Sequence, residues 1–233
     1  MKPSRTRFVF KLLTFVSLAF LLPITATAKD ENKLPEVSSD GLHLVKDTKA
    51  EIVYVKPGAT LETYTKVKIL DCYVQFKKNW QRDYNMNELG LDGRVTNKEA
   101  EEIKQRVAVG FKKEFTKVLN EEGHEVVEDT GPDVLLLRPA IINLDVTEPD
   151  IMRAGMETSF VQSAGEMTLY MEMYDSATST LLARVVDAQA DDRAFGMQAN
   201  RVTNTAAADL IFTYWAKELS KHLGSVKETA KSK

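Results

Sequence analysis

The chain has 233 residues, 31 of them basic and 34 acidic, and a single cysteine. That balance argues against a nucleic-acid or anionic-membrane surface, which needs clustered Lys and Arg. One thiol rules out an internal disulfide, and the length suits one domain with a sizeable core.

The first residues carry an export pattern. Lys2, Arg5, Arg7 and Lys11 form a basic start, residues 12–22 are almost wholly apolar, Pro23 breaks the run, and Ala26-Thr27-Ala28 supplies small residues. This is a signal peptide over 1–28, with cleavage expected after Ala28. Its apolar run is too short to span a bilayer, which takes about 20 residues. No cysteine follows it, so no lipid anchor is expected in this chain. No later segment is long and apolar enough to be transmembrane. The expected location is the periplasm, or outside the cell. Removing the signal's four basic residues leaves 27 basic against 34 acidic, net −7. Cys72, the lone thiol in an oxidising compartment, lies in an apolar strand pattern, which favours burial over pairing between chains.

Residues 29–40 read as a flexible polar lead-in, 41–224 as a single globular domain, and 225–233 as a disordered polar tail. Ile52 to Val55 is a short strand or arm stopped by Pro57-Gly58. Residues 66–76 read as one strand with apolar residues on both faces, and 77–95 as a long ordered loop. Thr96-Asn97-Lys98-Glu99 is a capping box. Behind it Ala100, Ile103, Val107, Phe111, Phe115 and Leu119 recur at helical spacing, and Gly123 fits the position just past the helix end. Residues 124–128 form a short strand and 129–132 a turn. Three strands follow, at 133–146, 165–174 and 181–187, the first carrying Pro139, which predicts a bulge or an edge. An amphipathic helix closes the domain over about 203–223. The expected fold is α/β (α+β): a mixed, mostly antiparallel sheet of about five strands with two long helices packed on it.

That order sets the ends of two late loops, 146–164 and 188–202, side by side above the strands. They bring Asp145, Glu148, Asp150, Arg153, Met156 and Phe160 near Asp187, Asp191, Asp192, Arg193, Phe195 and Arg201. Adaptable Met and Phe contacts among charges of both signs suit a binding surface, although a solvated rim folding back on the sheet has the same composition. The strand at 165–174 alternates Met167, Leu169, Met171 and Met173 with Glu166, Thr168, Tyr170, Glu172 and Tyr174. The methionines could hold copper(I) through thioethers, but Leu169 interrupts them and no His or Cys joins, so they read as core. His43, His124 and His222 have no metal-ligand spacing. There is no G-x-S-x-G, G-x-x-x-x-G-K-[ST] or G-x-G-x-x-G, and no pattern calls for a cofactor.

Four stretches together resemble a known family: D-G-L-H-L-V at 40–45, Y-V-K-P-G-A-T-L-E-T-Y-T-K-V-K-I at 54–69, G-P-D-V-L-L-L-R-P-A-I-I-N-L-D-V at 131–146, and G-E-M-T-L-Y-M-E-M-Y-D-S at 165–176. The family is one of bacterial exported proteins defined as a domain of unknown function, number thirty-three thirteen. The resemblance runs from about Asp40 to Leu223. It implies a small envelope protein, in a family with many lipoproteins and with no catalytic residues to carry over. This chain departs from the lipoprotein form by lacking the lipid-bearing cysteine.

Three readings remain. The first is a non-catalytic accessory or interaction module of the envelope, working with an envelope protein partner or by self-association. The second is a small-molecule or lipid-binding module with the 146–164 loop as a lid. The third is a hydrolase using rim carboxylates such as Asp145, Asp187 and Asp191.

Overall fold

The computed structural model describes residues 34–88, 90, 93–146, 160–161, 165–190, 197–198 and 201–224, with backbone alone at 160–161, 197–198 and 201–206. In chain order the described elements are β1 (His43–Val45), β2 (Ile52–Val55), β3 (Lys66–Ile69), β4 (Tyr73–Phe76), α1 (Trp80–Asn87), α2 (Asn97–Glu121), β5 (Glu125–Val126), β6 (Val134–Val146), β7 (Phe160–Val161), β8 (Gly165–Asp175), β9 (Leu181–Ala190), β10 (Met197–Gln198) and α3 (Arg201–Ser220). Eight strands form one mixed sheet in the order β1-β2-β9-β8-β6-β3-β5, with β4 also alongside β6; β7 and β10 pair separately. The expectation of about five strands and two long helices is therefore corrected, among the described residues, to eight strands in the main sheet and three helices. Single-domain α+β organisation holds.

Two of the added elements come from local chemistry that hydropathy does not show. The stretch 66–76 is two strands because Leu70-Asp71-Cys72 steps off the sheet, and the register against β6 slips by one residue across the step. Pro139, which has no N–H to give, lies opposite that step, between the partners of Ile69 and Tyr73. Of the bulge or edge expected at Pro139, the bulge is instead at Asn143, whose φ of 53° marks the left-handed region, and the β6–β8 register shifts there. One extra residue flips the alternation. Leu135, Leu137 and Ile141 are buried before it and Leu144 after it.

The stretch 77–95 contains α1 where a loop was expected. Its sequence W-Q-R-D-Y-N-M-N has no apolar stripe. The helix is held from outside. Trp80 stacks on Phe76 with centroids 4.0 Å apart and near-parallel planes. The Asn85 amide donates to the Val95 carbonyl at 2.9 Å and accepts from the Val95 N–H at 2.7 Å.

α2 is legible throughout. Thr96 and Glu99 form both halves of the capping box. At the other end the N–H of His124 reaches Leu119 O and that of Gly123 reaches Asn120 O, with Gly123 at φ 90°, so the helix closes in a Schellman turn. α2 carries the chain from β4 to β5 and β6, which run parallel to β3; β6, β8 and β9 then fold as antiparallel hairpins.

α2 and α3 cover one face of the sheet. Phe111 meets Phe115 and Phe212 at 4.1 and 5.4 Å between ring centroids, over the buried row Met167, Leu169, Met171 and Met173. The methionine ladder is core, and its other side, Tyr170, Glu172 and Tyr174, belongs to the face that no helix among the described residues covers.

Candidate functional site

Lys77 follows β4 on the helix-free face, continuing the exposed row Tyr73 and Gln75 beside buried Val74. Its backbone N–H donates to Leu144 O, which points the side chain across the ends of β6 and β8. Asp145 and Glu166 are cross-strand partners there. Lys77 Nζ donates to Asp145 Oδ2 at 2.9 Å and to Glu166 Oε1 at 2.8 Å. The hydrogen bond to Glu166, then that to Asp145, raises the Lys77 pKa above the ordinary lysine value, so the ammonium stays charged. All three side chains are a third or more exposed, and water screens the cluster.

The turn after Lys77 supplies the wall. Asn79 takes the left-handed region at φ 64° and starts α1, so Trp80 folds back on Phe76 with Tyr84 beyond it at 5.9 Å. Trp80 Nε1 donates to Val146 O at 3.0 Å, tying α1 to the end of β6. Gly165 opens β8 where a Cβ would stand 2.8 Å from Asp145 O, so only glycine lets the strands close up. Between α1 and these strand ends is an open cleft of about 550 Å³, with Lys77, Lys78, Asp83, Tyr84, Asn87 and Glu166 on its walls. Two cations face three carboxylates there, counting Asp145.

Mid-sheet on the same face is a second polar centre. Glu172 pairs in register with Arg138 on β6 and Arg184 on β9. Its carboxylate accepts from Tyr174 Oη at 2.7 Å, Tyr170 Oη at 3.0 Å, Arg184 Nη2 at 3.0 Å and Arg138 Nη1 at 3.4 Å. Burial pushes this carboxyl up, but Tyr174, Arg184 and Tyr170 outweigh it and hold the pKa below the ordinary glutamate value. Arg184 also bonds Asp40, which lowers the Asp40 pKa. Every member is satisfied, which suits a register lock on the sheet.

The residues expected to form one rim divide. Asp145 lines the cleft. Asp187 is 4% exposed and pairs with Leu169 on the helix-covered face, so the two carboxylates are on opposite sides of the sheet rather than together. Asp187 accepts from Trp215 Nε1 at 2.7 Å, Gln189 Nε2 at 2.9 Å and the Glu51 N–H at 3.1 Å. It anchors α3 and the start of β2. Phe160 opens β7 and Arg201 opens α3, seen as backbone only. Glu148, Asp150, Arg153, Met156, Asp191, Asp192, Arg193 and Phe195 lie outside the described residues. The two late segments do meet: β7 pairs with β10, Val161 opposite Met197 and Phe160 opposite Gln198. Sequence reasoning missed Lys77, Trp80 and Tyr84. The available signal was the aromatic spacing of four, Phe76, Trp80, Tyr84.

Cys72 is buried and its thiol is pushed up to about 12 by that burial, so it stays protonated and unreactive. No group of three metal-ligating side chains occurs among the described residues, and no helix there is long and apolar enough to cross a membrane.

Residues 37–219 match the family model described as "Protein of unknown function (DUF3313)". No curated protein matches the chain. Among solved structures, the PelC dodecamer from Paraburkholderia phytofirmans is 11% identical at a TM-score of 0.39, over 74% of this chain and 98% of that one. Protein XCC0632 from Xanthomonas campestris is 13% identical at 0.35, over 71% and 86%. A DUF4136 family protein from Bacteroides thetaiotaomicron is 8% identical at 0.32, over 74% and 95%.

Proposed function

For a chain that belongs to the DUF3313 family, we propose the role of a non-catalytic binding module of the bacterial envelope, exported by a signal cleaved after Ala28, that holds a partner protein at the Lys77 cleft. The observation that carries this is the cleft itself, an aromatic wall beside the hydrogen-bonded Lys77–Asp145–Glu166 cluster. Such a rim offers hydrogen bonds and a flat apolar contact. The carboxylates of this rim suit a partner that presents a basic side chain beside an apolar one.

The ionisable groups support binding over catalysis. A general acid or base works best with a pKa near the operating pH. Here Lys77 is held above its ordinary value, Glu172 and Asp175 below theirs, and Cys72 stays a thiol. Asp145 and Asp187, the carboxylates a hydrolase would pair, are separated by the sheet.

The test is photo-crosslinking in the cell with benzoylphenylalanine in place of Tyr84. We expect one discrete adduct that weakens when Asp145 and Glu166 become Asn and Gln. A control probe at Val109, exposed on α2, should give none. A pattern identical at the two positions would sink the assignment of the cleft.

A further inference from the structure

We propose that the outer edge of β4 pairs antiparallel with β4 of a second copy of this chain, giving a two-fold dimer joined across the sheet. β4 has β6 on one side, and among the described residues no strand on the other. The edges beyond β1 and β5 are covered. Beyond β1, Val37 bridges His43 and the Leu44 N–H donates to Glu36 O. Beyond β5, the Val126 N–H donates to Asn120 Oδ1. Natural sheets blunt an edge with such contacts, or with lysine and proline pointing outward. β4 itself carries neither: its residues are Tyr73, Val74, Gln75 and Phe76.

The backbone direction is set. The Lys77 N–H points to β6, and by strand alternation the N–H and C=O of Val74 and Phe76 point away from it. The side chains on the helix-free face agree: Tyr73 is 61% exposed, with Gln75 beside it.

Charge picks the occupant. The stretch 71–78 reads D-C-Y-V-Q-F-K-K, acidic at its start and basic at its end. Laid antiparallel on itself with Val74 opposite Val74, it sets Asp71 of each copy against Lys77 of the other, with Lys78 adjacent, and Tyr73 against Gln75. A parallel arrangement would set like charges together, which is destabilising. The Asp71 carboxylate is fully exposed and its link to Lys112 is 3.8 Å long, so it is available to turn outward. The pairing shares Lys77 and Lys78 with the cleft, but Asp71, Tyr73 and Gln75, where it is tested, do not line it.

Sedimentation of the purified chain over a concentration series up to roughly 100 µM tests this, a range suited to a small interface. A reversible monomer–dimer equilibrium is expected. The double variant Asp71→Lys with Tyr73→Lys, both at exposed positions, should lower the association constant at least tenfold with unchanged circular dichroism. Gln75→Lys is the second variant should the first misfold, with the same expected loss. Mixing a Tyr73→Cys chain with a Gln75→Cys chain under oxidation should give more mixed disulfide dimer than either alone. A wild-type chain that stays monomeric, a dimer that both lysine variants leave intact, or no excess of mixed dimer would each overturn the pairing.

Discussion

Two acidic residues show how one residue type takes opposite duties. Asp187 is on the helix side of the sheet, where Trp215, Gln189 and the Glu51 N–H satisfy it. A carboxyl group buried there would cost free energy without such donors. Glu172 is on the other side, 9% exposed, clamped between two arginines and two tyrosines. Replacing Glu172 by Gln removes the charge from those bonds and leaves Arg184 half-satisfied. The expected cost is about 1–3 kcal/mol, seen as a lower urea midpoint at unchanged slope. A midpoint equal to wild type would mean the cluster contributes nothing to register. Both residues are visible in the sequence as acidic residues in strands. Which face each takes, and what meets it there, depends on pairing with strands distant in the chain.

At the scale of elements, legibility follows how local the stabilisation is. α2 carries its own signals, a capping box, an apolar stripe and a glycine past its end, and it forms over Asn97–Glu121. α1 carries none. Its support comes from Phe76, from Val146 O and from the Asn85–Val95 clamp. Asn85→Ala should therefore unlatch α1. It leaves the buried Val95 N–H without its partner, a loss of about 1–3 kcal/mol. Amide exchange across residues 80–87 should accelerate well before that across α2. Equal protection in the variant would show that Trp80 stacking alone holds the helix. The β3–β4 step has the same character, since apolar residues run through 66–76 without pause and only the register against β6 interrupts them.

At the scale of the molecule, many carboxylates are held below their ordinary values by partners: Asp40 by Arg184, Glu99 by Thr96, Asp175 by Tyr64, Glu218 by Lys221, and Glu172 by Tyr174 and Arg184 against its burial. A depressed native pKa stabilises the fold above the unfolded-state value, near 4, and that stability is lost as pH falls through the lower native value. Asp209, raised by burial and by Glu114 nearby, acts the other way and offsets part of the loss. The net expectation is a urea midpoint that drops steadily from about pH 5 downward. A midpoint flat or rising from pH 5 to 3 would show that these pairings are equally present in the unfolded chain.

The export pattern, the single α+β domain, the long helix, the central hairpins and the family resemblance could all be read along the chain. Each rests on near neighbours in sequence or on periodicity over a few turns. The tertiary structure alone decided the face taken by the end of β6 beyond Asn143, where one inserted residue inverts the alternation. It also decided the step that splits β3 from β4, and the folding of α1 onto Phe76. Those three local events place Lys77 against Asp145 and Glu166, on the face opposite Asp187. The cleft is made by contacts between residues 68 and 89 positions apart, Lys77 to Asp145 and to Glu166, which no periodicity in the sequence encodes.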